Sequence, residues 1–234
     1  MSGPAPRSVA GADTSAADIQ DDPSVAAEIV RIVDAAGPAA VLFVGRRPGK
    51  SVDTLLHGRL LVVGDDADLA AVVLRLLRKD LLGSVEIAFA APSRRSPFRL
   101  LWDLPSGVAA VRLAAEGEVD LVPLVRDDVG GVLVGVGYLG PVNGTVYVDE
   151  HRVLRGPARR LQVVPHREKG LEVTVTTRRG FAGFGGRPRI NGRAVQIGTV
   201  PTTVVRDGVP YARPMDRWTF YKHTEPLRLV RGLV

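Results

Sequence analysis

The chain has 234 residues, 45% of them hydrophobic and none of them cysteine, so a sizeable core can form while disulfides, thiolate nucleophiles and thiolate metal sites are excluded. Its formal charge of +6 is unevenly divided: residues 151–234 hold 17 Lys and Arg against 5 Asp and Glu, and residues 1–150 hold 14 against 20. Aromatic residues make up only 5%, which argues against a stacking platform for single-stranded nucleic acid, and no stretch approaches the ~18 uninterrupted apolar residues of a membrane span.

In chain order, residues 1–22 are rich in Ser, Ala, Gly and Pro and read as a disordered tail. They lack the apolar run of a signal peptide, so the expected location is the cytoplasm. Asp22 as N-cap, Pro23 in the first turn, Val25, Ile29 and Val33 at four-residue spacing and Gly37 as stop predict the first helix. Ala39 to Val44 and Leu60 to Val63 read as short buried strands. Leu69, Val72, Val73, Leu76 and Leu77 mark one face of a second helix, with Arg75, Arg78 and Lys79 near its C-terminal end. Val85 to Ala90 predicts a strand and Ser106 to Glu116 a helix stopped by Gly117. Helices alternating with buried strands imply a parallel sheet covered on both faces.

From Val119 the pattern changes to short β-rich runs: Val119–Val125, Val132–Leu139, Thr145–Val148, Leu161–Val164, Leu171–Thr177, Val195–Val200, Thr202–Arg206 and Trp218–Lys222. Asn143-Gly144, Asn191-Gly192 and Asp207-Gly208 read as turn pairs, the last two as hairpin turns. The predicted architecture is an α/β part over residues 23–118 with a parallel sheet, followed by an all-β, sandwich-like part over residues 119–234. The aromatic cluster Trp218-Thr219-Phe220-Tyr221 reads as packing rather than a ligand box.

Several motifs fall in a recognisable order. The strand ending Val62-Val63 runs into Gly64-Asp65-Asp66-Ala67-Asp68 and a helix. A proline-led loop, Pro92-Ser93-Arg94-Arg95-Ser96-Pro97-Phe98, precedes Leu104-Pro105, the Ala-rich segment from Ala109 to Gly117, and Val119-Asp120-Leu121. Near the end stand Arg206-Asp207-Gly208-Val209 and Pro226-Leu227-Arg228-Leu229-Val230. Together these resemble the superfamily of diacylglycerol kinases, sphingosine kinases and NAD kinases, over roughly residues 40–234. The resemblance implies an α/β nucleotide domain followed by a β-sandwich, with ATP and Mg²⁺ used in the cleft between them to phosphorylate a lipid hydroxyl.

Against the family's Gly-Gly-Asp-Gly-Thr, only Gly64 and Asp66 match. Where the family has Asp-Gly-Glu, this chain has Asp207-Gly208-Val209. The family's Asn-Pro-x-Ser-Gly loop corresponds to Val44-Gly45-Arg46-Arg47-Pro48-Gly49, without the Asn. Only Lys50 to Arg59 then separates that loop from the next strand, too short for the usual helix–strand–helix.

By this resemblance Asp66 and Asp207 are the catalytic candidates, and Gly45, Gly49, Lys50, Gly64, Asp65, Arg94 and Arg95 the nucleotide-binding candidates. Gly45 to Ser51 also approaches a P-loop, but three residues stand between its glycines instead of four and Pro48 lacks an N–H. His57, His151, His166 and His223 show no metal-ligand spacing, and there is no Gly-x-Ser-x-Gly elbow. Helix capping by Asp66 or Asp68 and a plain hairpin turn at Asp207-Gly208 are the simpler readings of those acidic residues.

Three functions stay open. One is a non-catalytic relative of the lipid kinases, a pseudokinase that binds a lipid, a phosphorylated small molecule or a partner. Another is an active ATP- and Mg²⁺-dependent lipid kinase, and the third a basic nucleic-acid-binding protein. Contact with an anionic membrane surface and homo-oligomer formation stay open with them.

Overall fold

The computed structural model describes residues 23–36, 41–43, 47–177 and 188–232. The expected tail, Gly45, Asp22 as N-cap and Gly37 as helix stop lie outside the described residues. The chain divides into two compact units, residues 1–121 with 227–234, and residues 122–226.

The first unit is built on a five-stranded sheet. In chain order it contains α1 (Pro23–Ala36), β1 (Val41–Phe43), a 3-10 helix (Lys50–Leu55), β2 (Arg59–Val63), α2 (Asp66–Arg78), β3 (Glu86–Ala90), α3 (Pro97–Leu101), α4 (Val108–Glu116) and β4 (Val119–Val122). β1 pairs with β2 and β2 with β3, both in parallel. Because side chains alternate across a strand, Leu61, Val63, Ala88 and Ala90 face one side and pack with Ile32 of α1 and Ala110, Val111 and Ala114 of α4. Leu60, Val62, Ile87 and Phe89 are equally buried on the other. Of the predicted stripe of α2, Leu69, Val72, Val73 and Leu76 are solvent-inaccessible and Leu77 is half-buried. A single 3-10 helix fills the short span before β2, and Asp53 fastens it to α2 by accepting from Arg75 through both oxygens at 2.7 and 2.6 Å. That Arg75 hydrogen bond also holds the Asp53 carboxyl below its ordinary range.

The second unit holds two six-stranded sheets. Its strands, in order, are β5 (Val125–Asp127), β6 (Val132–Leu133), β7 (Gly137–Leu139), β8 (Val142–Val148), β9 (His151–Ala158), β10 (Arg160–His166), β11 (Gly170–Thr176), β12 (Arg189–Gly192), β13 (Ala194–Thr202), β14 (Val204–Arg206), β15 (Val209–Pro210) and β16 (Met215–Lys222). One sheet runs β12-β11-β10-β7-β14-β15 and the other β6-β5-β16-β13-β8-β9. Alternating residues such as Val173 and Val175 of β11, Leu161 and Val163 of β10, and Trp218 and Phe220 of β16 share one core. The predicted aromatic cluster is thus core packing at Trp218 and Phe220. An ion pair links the sheets: Arg206 of β14 meets the fully buried Asp127 of β5.

Two expected turns are not turns. Asn143-Gly144 lies inside β8, where Gly144 gives close passage to Gly198: a Cβ there would come within 2.0 Å of the Gly198 carbonyl oxygen. Asn191-Gly192 ends β12, which pairs with β11, whereas the following β13 pairs with β8 and β16 in the other sheet; the pair marks a change of sheet. Asp207-Gly208 does form the β14–β15 hairpin turn, with both residues at positive φ (46° and 82°), the geometry that a tight two-residue hairpin requires.

The boundary at residue 234 also needs correction. β17 (Leu227–Val230) does not extend the β-rich part; it pairs in parallel with β3 and stands between β3 and β4 in the first sheet. Leu227, Leu229 and Val230 are buried, and ionic contacts fasten the segment: Arg228 to Glu86, itself held by Arg59, and Arg231 to Asp120 at 2.6 Å. Replacing Leu229 with Ala should therefore cost about 2–5 kcal/mol in urea unfolding. Leu121→Ala, at a side chain 59% exposed, should change stability by less than about 0.5 kcal/mol.

Candidate functional site

The C-terminal ends of parallel strands, where chain turns into helix, collect exposed amides, and this is where an open α/β sheet binds ligands. In this chain the β2–α2 turn is Gly64-Asp65, and its amides are already engaged. Gly64 N–H donates to the Ala90 carbonyl at 3.4 Å and Leu69 N–H to the Asp65 carbonyl at 3.1 Å. Asp65 is the N-cap: its Oδ1 accepts from Asp68 N–H at 2.9 Å, while Asp68 Oδ2 accepts from Asp65 N–H at 3.1 Å. This is a reciprocal capping box with aspartate at both ends. The cap is Asp65, not Asp66 or Asp68 as expected, because only Asp65 has the extended backbone (φ −86°, ψ 177°) of a residue entering a helix.

Asp68 has a second task. Its Oδ1 accepts from Arg47 N–H at 2.6 Å, joining the loop after β1 to the α2 N-terminus. Its side chain lies against the open face of Gly64, where an added Cβ would come within 2.5 Å of Asp68 Oδ2 and 2.9 Å of Asp68 Cβ. The close approach that glycine offers to a phosphate is used here by an internal carboxylate. Burial raises the Asp68 carboxyl to about 6; the neighbouring Asp65 charge adds to the rise, and the Arg47 and Asp65 amides oppose it.

Asp66 points elsewhere. It is buried and binds the loop that opens α3: Ser96 Oγ–H donates to Oδ1, and Phe98 N–H donates to Oδ2 at 2.8 Å. Ser96 in turn caps α3 by accepting from Arg99 N–H at 3.1 Å. Burial raises the Asp66 carboxyl above its ordinary range, partly offset by these two donors. Ser96 and α3 escaped the sequence reading, although Ser followed by Pro is a helix-start signal. The structure thus brings Gly64, Asp65 and Asp66 together with the Arg94–Arg95 loop. Arg94 and Arg95 themselves are exposed, and Gly49 and Lys50 open the 3-10 helix, also exposed.

Asp207 belongs to the second unit. Its buried carboxylate accepts from the amides of Val134 (3.0 Å), Gly135 (2.7 Å) and Val136 (2.9 Å), so it organises the loop between β6 and β7. Val209, where the resemblance places a Glu, is a half-buried apolar residue on β15. Among the described residues, no group of three or more His, Cys, Asp or Glu could hold a metal ion, and no helix is long and apolar enough to cross a membrane.

An α/β unit on a mixed sheet with a parallel core, joined to two antiparallel sheets, defines a lipid-kinase-like, two-unit fold. Among solved structures, a Bacillus anthracis chain assigned as a diacylglycerol kinase is similar with a TM-score of 0.63 at 11% identity, over 90% of this chain and 88% of that one. A second diacylglycerol kinase from the same organism gives 0.58 at 12% identity, over 74% and 76%. An NAD kinase from Archaeoglobus fulgidus in complex with ATP gives 0.46 at 15% identity, over 80% and 82%. No protein-family model matches the sequence, and no curated protein matches it. The chain has the fold of the bacterial diacylglycerol kinase structures.

The raised Asp68 carboxyl has a signed consequence. It binds its proton more tightly in the folded chain than in the unfolded one, so stability falls as pH rises from the ordinary carboxylate range to about 6. Urea unfolding over that window should show a shallower fall for Asp68→Asn than for the parent chain. Asp66, raised in the same direction, should leave a residual slope.

Proposed function

We propose that this chain is a lipid-kinase-fold protein that does not transfer phosphoryl groups and instead binds a phosphorylated or lipid ligand through its basic β unit. The reciprocal Asp65–Asp68 cap carries the reading. It occupies the Asp65 and Asp68 amides at the start of α2 and covers the face of Gly64, where a nucleotide's phosphates would approach. The residues present do not fit a Mg²⁺–ATP tail. Each unscreened carboxylate–phosphate pair at ~4 Å would cost on the order of 4 kcal/mol at an effective dielectric of 20. Both oxygens of Asp66 and of Asp68 are committed to backbone and hydroxyl donors.

The second unit supports the same reading. Asp207 is tied to three loop amides, and Val209 can neither take a proton nor hold a cation. A fold can persist as a scaffold once its chemistry is gone.

Thermal unfolding with and without Mg²⁺–ATP, paired with an assay of phosphoryl transfer to diacylglycerol in detergent micelles, tests this. No stabilisation and no transfer are expected; transfer by the unmodified chain contradicts the proposal. The variant Asp65→Gly/Ala67→Gly/Asp68→Thr, which clears the turn, should gain a Mg²⁺–ATP-dependent stabilisation that the parent lacks.

A further inference from the structure

A cavity of about 350 Å³ opens on the β7–β10–β14 region of the second unit, lined among others by Tyr138, Pro141, Arg159, Arg160, Thr203 and Val205. Its size lies at the small end of ligand sites, which run from about 300 to 1,000 Å³. Two backbones meet at its base. Gly140 permits this, since a Cβ there would come within 2.7 Å of the Arg159 carbonyl oxygen and 3.3 Å of Arg160 Cα. The cavity therefore comes from strand packing, with its two arginines at the start of β10 and the end of the turn before it.

The Arg160 guanidinium carbon lies 3.8 Å from the centre of the Tyr138 ring. Stacking of this kind fixes the plane of the guanidinium while leaving its N–H edge available for a planar or tetrahedral oxyanion. Neither Arg159 nor Arg160 has a carboxylate within ion-pair distance among the described residues, unlike Arg206 nearby on β14, which Asp127 neutralises. The cavity wall offers no counter-charge: its lining holds these two Arg and no Asp or Glu. Such a surface concentrates anions.

We infer that this cavity binds a small phosphate ester. The phosphate is held by Arg159, Arg160 and the Thr203 hydroxyl, and the organic body rests on Tyr138, Val205 and Pro141. Two charge-assisted forks favour phosphate over a neutral ligand, and the apolar wall favours an ester over inorganic phosphate. The inference rests on the binding role proposed above and supplies its ligand chemistry and site.

The test uses the full chain without nucleotide, so its failure is separate from that of the non-catalytic reading, which phosphoryl transfer decides. Inorganic phosphate, phenyl phosphate, and vesicles of phosphatidylcholine with and without phosphatidic acid are the probes, and amide NMR and calorimetry the readouts. Phenyl phosphate should bind saturably and more tightly than inorganic phosphate, with shifts at Tyr138, Arg160 and Thr203. Arg159→Ala and Arg160→Ala should each weaken it about tenfold or more, and Arg160→Lys, which keeps the charge but loses the fork, should recover only part. Urea midpoints of these surface variants should stay near the parent value, separating lost binding from lost folding. Binding of the soluble ester assigns the site to a free phosphate ester; binding confined to phosphatidic acid vesicles and lost in Arg160→Ala assigns it to a lipid headgroup. Either outcome supports the site. No saturable binding of any probe, or binding unchanged by both alanine variants, overturns it.

Discussion

Each strand that runs directly into a helix leaves a ring of amide N–H groups at the turn, and the folded chain must find acceptors for them. Nucleotide-binding α/β proteins leave the acceptors to a ligand, keeping the turn small and glycine-rich. This chain supplies its own. Asp65 and Asp68 satisfy each other's amides, and Asp68 reaches on to Arg47 and fills the face of Gly64. Asp66, between them, secures α3 through Ser96 and Phe98. A cap of this type stabilises a helix by about 0.5–2 kcal/mol, and that stabilisation is available without any ligand. On the non-catalytic reading proposed above, the stability of the turn and its closure to a nucleotide's phosphates have one cause.

Charge is distributed accordingly. The acidic residues at the β2–α2 turn are consumed internally, as is Asp207 in the second unit, where it ties three amides of the β6–β7 loop. Among the basic residues, Arg75, Arg206 and Arg231 are also consumed, each by a carboxylate that fixes one element to another. Arg159 and Arg160 have no such acid among the described residues. They line a cavity whose other residues, Tyr138, Leu139, Gly140, Pro141, Thr203 and Val205, include no acid. The chain thus combines a β2–α2 turn capped by its own carboxylates with a cavity in its other unit that carries two arginines.

Periodicity made the α/β alternation and the β-rich remainder legible in the sequence, because α2 carries an uninterrupted apolar stripe and β11 alternates cleanly. Elements without a pattern escaped. α3 is a five-residue helix, shorter than any helical period can reveal. β9 is an edge strand bearing Arg152, Arg155 and Pro157, residues that read as loop unless the neighbouring β8 is known. β17 has the right composition for a strand, but its place between β3 and β4 is a long-range contact that no local signal encodes. The site follows the same rule. The acidic turn was legible as a departure from a glycine-rich motif, whereas the choice of cap depended on the backbone angle at Asp65. The partners of Asp66 lie thirty residues downstream. The stacking of Arg160 on Tyr138 depends on strand register, which no local signal encodes.

The central claim is that the Asp65 and Asp68 amides at the start of α2, with that of Arg47, are occupied by the protein's own carboxylates. Amide NMR of the labelled chain during titration with Mg²⁺–ATP addresses those atoms directly. The resonances of Arg47, Asp65 and Asp68 should stay in place, as protons already bonded within the fold. Saturable shifts at these three amides would mean that a nucleotide displaces the cap, and would contradict the account.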